Sequence, residues 1–428
     1  MRGVFIKPVT NLRGEIRVPG DKSISHRAAL FGGMAHGETH VLNFLLGQDC
    51  LSTLQCLKQL GVPWERKGTE VWIRGEGMEA WQEPIDVLDA GNSGTTLRLM
   101  LGALAGSPFT VTMSGDESLR SRPMRRVTDP LKQMGAQIMG RMEGNLAPLT
   151  MMGGHLEGQN FRTAVPSAQI KSAIILAGLR ASGETSVEEP ALSRDHTERM
   201  LRGFGVEVQS HRTVVRIRGG GRLNGQAVSV PGDISSAAFF LVLGSLVGRG
   251  EIILPDVGVN PTRTGILDVL KAMGGDIELL DTSEICGEPR ATLRVRPAKL
   301  KGIEIAGDMI PRLIDEIPIL AVAASLAEGE TVIRDAAELR VKETDRIRTV
   351  VDGLNALGAK VEELPDGLRI QGRTSLNGGQ ASSFGDHRLA MAWAIAGMLS
   401  QEGVSVEDMA AADVSYPNFL TAIKKVAG

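Results

Sequence analysis

The chain has few cysteines, few aromatic side chains, little net charge and no long hydrophobic run. Its three cysteines, Cys50, Cys56 and Cys286, form no CxxC pair. That rules out a disulfide scaffold and fits a reducing compartment. A net charge of −3 gives no global support to nucleic-acid or membrane-surface binding. The longest apolar stretch, Ala237 to Val247, is interrupted by Gly244 and is too short to span a bilayer. The opening MRGVFIKPVTNLRG contains no signal-peptide run. A soluble cytoplasmic protein is expected, with neither nucleic acid nor membrane as partner. Aromatic content of only 4% points to helices packed closely through small side chains. His36 and His40 read as turn residues rather than zinc ligands, so no metal is expected.

What the chain does have is length, 42% hydrophobic residues and a repeat. At 428 residues two domains are the natural expectation. Val-Pro-Gly-Asp occurs at 18–21 and again at 230–233. Between and beyond these copies one phrase recurs: a small-residue apolar helix, a glycine, then a β-type run. Its glycines are Gly37, Gly106, Gly183, Gly250, Gly329 and Gly403, spaced by roughly 70 to 80 residues, the length of one supersecondary unit. A second phrase, an amphipathic helix followed by glycine and strands, is marked by Gly61, Gly135, Gly205, Gly274 and Gly358. These glycines suit left-handed helix C-caps. The sixth unit fades at LTAIKKVAG. Its missing strands are expected from VFIKPVTNLRGEIRV, read as two short strands around Asn11-Leu12-Arg13-Gly14.

Six units, three per domain, follow from this. One domain is expected at 20–231 and the other at 1–19 plus 232–428, with crossovers near Gly20 and Gly232. Ala237–Val247, Pro318–Ala327 and Leu389–Leu399 are apolar nearly all round, and a helix with no polar face is a buried one. The strands alternate and read as half exposed, which argues against a doubly wound sheet. The expected class is therefore α/β, with buried parallel helices inside and sheets outside.

The loops carry the charge. GDKSISHR places Lys22, Ser23 and Arg27 at a helix start, where free N–H groups and the helix dipole favour anions. AGNSGTT (90–96) offers Asn92 and backbone N–H groups made approachable by glycine, including Gly94. Ser167-Ala168-Gln169 opens another helix. SRPMRR supplies Arg122, SRDH supplies Arg194, and GDHR supplies Arg388. In LRVKETDR, Lys342 and Arg346 stand four apart and are expected on one helix face. Asp315 precedes a buried helix.

Taken singly, each segment has a plainer reading: a solvated basic face, an N-cap, an exposed salt-bridge helix. GGGRLNG (219–225) leads into a strand, the wrong context for a dinucleotide fingerprint. Together they share a slot, since nearly all are expected at the start of a buried helix. Seven cations, Lys22, Arg27, Arg122, Arg194, Lys342, Arg346 and Arg388, are then expected to converge between the domains on small polyanionic ligands.

GDKSISHRA, LDAGNSGTTLRLM, LRVKETDR and GDHRLAM in combination resemble the 5-enolpyruvylshikimate-3-phosphate synthase (3-phosphoshikimate 1-carboxyvinyltransferase) family, over essentially the whole chain. The resemblance implies a two-domain inside-out α/β barrel of six repeated units. It implies transfer of the enolpyruvyl group of phosphoenolpyruvate to the 5-hydroxyl of shikimate 3-phosphate through a tetrahedral intermediate, with no cofactor and a monomeric enzyme. By resemblance, Lys22, Ser23, Arg27, Ser167, Ala168, Gln169 and Arg194 hold shikimate 3-phosphate, Gln169 reaching both substrates. Lys22, Asn92, Gly94, Arg122, Arg346 and Arg388 hold phosphoenolpyruvate, and Gly94 leaves space for its mimic glyphosate. Asp315 resembles the base for the 5-hydroxyl, assisted by Lys342, and Glu343 the proton donor to the methylene carbon.

The chain departs from many members at Asp413-Val414-Ser415-Tyr416-Pro417, where a lysine precedes the aromatic-proline pair, and it carries Ala168 and Glu338 where another branch has Ser and Asn. Two rival readings fit the residues less well. A UDP-N-acetylglucosamine enolpyruvyl transferase needs a cysteine near Arg122, and none lies between Cys56 and Cys286. A catalytically silent anion-binding module leaves Asp315 and Glu343 unexplained.

Overall fold

Three helices in each half of the chain are buried along most of their length, and the fold is built around them. The computed structural model describes residues 3–427. The six helices are α1 (Lys22–Met34), α2 (Gly94–Leu104), α3 (Ala168–Gly178), α4 (Ile234–Leu246), α5 (Ile317–Ser325) and α6 (His387–Leu399). Their starts are set by polar caps. Asp21, Ser93, Ser167, Asp233 and Asp386 each accept a backbone N–H of the first turn. Close packing replaces aromatic bulk: a Cβ on Gly102 of α2 would overlap the backbone of Ala173 in α3. Few rings are therefore needed, and several of them gather at one place, where Phe239, Phe240, Tyr416 and Phe419 meet.

The strands form six sheets, five four-stranded and one three-stranded. One rule generates the five. The strand that follows each buried helix takes a short strand as its parallel neighbour, from the preceding repeat in three sheets and from a segment distant along the chain in the other two; two antiparallel strands complete the sheet. Thus Thr110–Ser114 lies parallel to Leu88–Asp89, and on its other side pairs with Leu146–Met152, which pairs with Gln137–Gly140. The amphipathic helices end at Gly61, Gly135, Gly205, Gly274 and Gly358, all with φ between +86° and +120°, where a side chain would be strained.

Ring closure explains why Val-Pro-Gly-Asp is written twice. Ala227–Ser229 lies parallel to His36–Leu42, in the first sheet of its ring, and the second turn follows directly. Leu12–Glu15 lies parallel to Gly250–Gly258, and the first turn follows just after it. Each turn thus stands where the chain passes from one unit to the other. The N-terminal segment does contribute to the sixth sheet, where Val4–Ile6 pairs antiparallel with Val404–Glu407. Its second strand does not. Leu12–Glu15 goes to the fourth sheet, so the two strands do not flank a turn at 11–14.

Contacts divide the chain into two compact units. One comprises Gly20–Val230 with Ile285–Glu288; the other holds the segment up to Pro19, Pro231–Glu284, and Pro289 onward. Each has its own apolar core. Ile285–Glu288 is the turn of the hairpin Asp276–Ile285/Glu288–Arg296, and it clusters with the 20–230 unit.

Candidate active site

Each unit gathers part of the candidate set. In the 20–230 unit, Asp21 caps α1 by accepting Ile24 N–H at 2.9 Å, so Lys22 and Ser23 stand in the first turn. The Lys22 ammonium pairs with Asp49 at 3.0 Å. Arg27, one turn further, is buried. Its Nε donates to Thr197 Oγ1 at 2.7 Å, and Nη2 to Ser172 Oγ at 2.9 Å. Nη1 donates to the Ser23 carbonyl at 3.0 Å. Burial pulls its guanidinium down to about 10, opposed by Glu198 and Asp21. His26 is buried beside it, held by Thr53 at 2.8 Å, and burial drives its ring down to about 3. At neutral pH it adds no charge.

The Asn92 loop is fastened from both sides. Asn92 donates to Asp116 at 2.6 Å, and its side-chain oxygen accepts from Arg122 Nη2 at 2.6 Å. Arg122 Nη1 also reaches the Asn92 carbonyl at 3.2 Å. Gln169 bridges helix starts, donating to Thr95 Oγ1 at 2.9 Å and accepting from Arg98 at 2.7 Å. A Cβ on Gly94 would stand 2.6 Å from Arg98 Nη1 and 3.5 Å from Arg122 Nη1. Arg98 therefore lies where Asn92, Gly94, Arg122 and Gln169 come together. It sits inside LDAGNSGTTLRLM, one helical turn after Gly94, and that spacing was the signal for it.

Ser167 and Arg194 are joined through residues that the motif reading left unassigned. Glu189 accepts Ser167 N–H at 2.9 Å and Ser193 Oγ–H at 2.9 Å. Its other neighbour is Lys171, which is fully buried between Glu189 at 2.9 Å and Glu198 at 2.8 Å. Burial works against the lysine charge, but Glu198 and Glu189 outweigh it and hold the ammonium above the ordinary lysine range. His196, after Arg194, is fixed by Glu288 at 2.8 Å.

In the other unit, one guanidinium organises the site. Arg346 is 1% exposed and meets three carboxylates: Asp386 at 2.7 Å, Glu343 at 2.7 Å and Asp315 at 3.3 Å. Lys342 Nζ also reaches Asp315 Oδ1, at 3.3 Å. Asp386 caps α6 through Arg388 N–H at 2.9 Å, which ties the start of α6 to Arg346. Burial opposes ionisation of Asp386, but Arg346 prevails and holds its carboxyl below the ordinary aspartate range. Burial likewise opposes the charge of Arg346, and Asp386 and Glu343 overcome it, raising its affinity for the proton further.

Two expectations need correction. Lys342 and Arg346 do not share a helix face. Asp345 caps a helix at Arg346–Ala356 by accepting Arg348 N–H at 3.2 Å, so Lys342 lies outside it, after the short turn Ala337–Val341. They converge on Asp315 all the same. Nor do nearly all cations precede a buried helix. Arg122, Arg194 and Lys342 stand before the amphipathic helices Arg125–Met134, His196–Gly203 and Arg346–Ala356. The second Val-Pro-Gly-Asp copy is internal: Asp233 pairs with Arg263 at 3.2 Å, Ser235 is bonded to Glu316, and Ile234 replaces the lysine. Among the described residues no group of three His, Cys, Asp or Glu side chains is placed to hold a metal, and no helix is long and apolar enough to cross a membrane.

The model of EPSP synthase (3-phosphoshikimate 1-carboxyvinyltransferase) matches residues 6–423. A 3-phosphoshikimate 1-carboxyvinyltransferase of Desulfitobacterium hafniense is 68% identical over all of this chain and 98% of its own length. One of Bacillus cereus is 54% identical over the full length of both. The structure of EPSP synthase from Acinetobacter baumannii superposes with a TM-score of 0.88 at 43% identity, covering 98% of this chain and 97% of that one. The enolpyruvyl transferase NikO from Streptomyces tendae, at 16% identity and a TM-score of 0.80 over 98% and 96%, shares the fold. The six-repeat, inside-out α/β architecture is therefore common to these proteins, and the chain belongs to the EPSP synthase (3-phosphoshikimate 1-carboxyvinyltransferase) family.

Proposed function

We propose that the chain transfers the enolpyruvyl group of phosphoenolpyruvate to the 5-hydroxyl of shikimate 3-phosphate and releases inorganic phosphate. The observation that carries this reading is the Asp315 cluster. A carboxylate touched at 3.3 Å by both Lys342 and Arg346, beside a second carboxylate on the same guanidinium, is equipped for proton acceptance, and the two cations for anion binding.

Asp315 takes the proton of the 5-hydroxyl, with Lys342 steadying the oxygen as it attacks C2 of phosphoenolpyruvate. Glu343 delivers a proton to the methylene carbon, giving the tetrahedral phosphate-bearing intermediate. Glu343, now ionised, takes back a methyl proton while the C–O bond to phosphate breaks and the proton held by Asp315 passes to the departing phosphate, restoring the double bond. Arg346 and Arg388 take the phosphoenolpyruvate carboxylate, for which a guanidinium fork is well shaped. A carboxylate competing for Arg346 loosens Glu343 from its cation and raises its proton affinity, as an acid requires. Arg122, Asn92, Gly94, Gln169 and Lys22 receive the transferred phosphate. Ser23, Arg27, Ser167, Ala168, Gln169 and Arg194 receive the acceptor's phosphate and ring. No lysine stands at Val414, so Arg98 is the candidate for the additional cation near the phosphoenolpyruvate phosphate. We take the enzyme to act as a cytoplasmic monomer, a reading supported by the sparse cysteines, which include no CxxC pair, and by an apolar core within each unit of the one chain.

A coupled phosphate-release assay tests the reaction. Phosphate should appear only with phosphoenolpyruvate and shikimate 3-phosphate together. Release with UDP-N-acetylglucosamine as acceptor, or no release at all, refutes it. Light scattering at assay concentration tests the monomer.

A further inference from the structure

We infer that Glu189, held by Lys171 and balanced by Glu198, is a positioning residue that fixes the two acceptor-binding segments, Ser167–Gln169 and Ser193–Arg194, relative to each other. This rests on the assignment of those segments to shikimate 3-phosphate.

The two carboxylates are not equivalent. Glu189 spends one oxygen on the Ser167 N–H and the other on Ser193 Oγ–H and Lys171. It thereby joins the residue that caps α3 to the residue before Arg194. Glu198 makes no bond to either segment among the described residues; its partner is Lys171, and its charge also acts on Arg27. The lysine lies on α3 itself, one turn after its cap. All three side chains are at most 2% exposed, so solvent does little to screen them.

The arrangement has a purpose beyond simple stability. A glutamate shared by two loops sets the distance between the groups those loops present. The lysine pairs with that glutamate at 2.9 Å while the same carboxylate accepts the Ser167 N–H and the Ser193 Oγ–H. A second carboxylate is needed because Arg27 brings another buried positive charge to the same cluster. Glu198 thus supplies charge balance, while Glu189 supplies geometry.

The asymmetry gives the test. Lys171→Met leaves two buried carboxylates facing each other without their cation. The double variants Lys171→Met/Glu198→Gln and Lys171→Met/Glu189→Gln carry the same net charge and differ only in which glutamate survives. Steady-state phosphate release is measured for each, with melting temperatures alongside. Lys171→Met should raise KM for shikimate 3-phosphate about tenfold or more, the size of a lost charge-assisted hydrogen bond. KM for phosphoenolpyruvate should move far less. Adding Glu198→Gln should bring the acceptor KM back to within about threefold of the parent, and adding Glu189→Gln should not.

Equal rescue by both glutamines, or both KM values rising together, overturns the proposal. Should Lys171→Met fail to fold, the near-isosteric Glu189→Gln alone must raise the acceptor KM selectively, and an unchanged value overturns it. Failure of the function itself shows in the unmodified chain, which would release no phosphate; failure of this wiring shows only in the variants.

Discussion

Arg346→Met should destabilise the discontinuous unit in a way that depends on pH. The guanidinium is 1% exposed and Asp386, its 2.7 Å partner, is 0% exposed. Removing one member of a buried ion pair typically costs about 3–5 kcal/mol, because the remaining charge is left without compensation. Asp386 escapes part of that cost by taking up a proton. In the parent its pKa lies below the ordinary value, so the pair contributes stability above about pH 4 that is lost on acidification through the depressed folded value. In the variant burial, the largest influence on it, and the Glu343 charge favour the protonated form, against His387 and the hydrogen bonds from Arg388 N–H and the Thr344 hydroxyl, and the folded pKa should move above the unfolded one. The sign then reverses. The unfolded chain is ionised above about pH 4 while the folded chain still binds a proton, so stability falls with rising pH by up to about 1.4 kcal/mol per unit.

Urea unfolding at pH 5 and pH 8, followed for the parent and the variant, reads this directly. The deficit should be several kcal/mol at pH 8 and clearly smaller at pH 5. A deficit below about 1 kcal/mol, the size of an exposed pair, or one that is the same at both pH values, refutes the reasoning.

Other substitutions separate binding from chemistry. Arg122→Ala should lower kcat/KM for phosphoenolpyruvate by about 10- to 150-fold, the equivalent of one charged hydrogen bond, with the melting temperature nearly unchanged; unaltered kinetics would remove Arg122 from the site. Asp315→Asn keeps the shape and loses the proton acceptor, so turnover should drop about 10²- to 10⁴-fold with much smaller changes in KM; a normal kcat refutes the base assignment. Burial pushes the Cys56 thiol up to about 12, and Cys50 is buried as well, so a thiol reagent on the native protein should modify Cys286 first; prompt labelling of Cys56 would contradict its placement.

Much of the architecture was readable because it is locally encoded. Apolar helices, capping Asp and Ser, and the C-terminal glycines each state their structure within a few residues, and the repetition of the phrase counted the units. Lys22, Arg27, Asn92, Arg122 and Gln169 stand out as candidates for the same reason, lying in short segments that lead into helices. What was not readable depends on partners distant in sequence. Nothing around Asp49 announces that it meets Lys22, and Glu189 and Glu198 look like ordinary surface acids until Lys171 is found between them. The helix misassigned at Lys342 shows a local competition: its i, i+4 spacing to Arg346 is helical, but Asp345 is the stronger signal because it satisfies a free backbone N–H.

The strand pairing Val4–Ile6 with Val404–Glu407 sets a constraint on synthesis. A nascent chain emerging from the ribosome can complete the ring of the 20–230 unit early, since Ala227–Ser229 supplies its last strand. The other ring cannot close until Val404–Glu407 has been made, because its partner strand Val4–Ile6 lies far from it along the chain. Val4–Ile6 must therefore stay unpaired while the intervening residues are produced. A strand of only three residues suits that delay, since a long apolar edge held open for so long would invite aggregation.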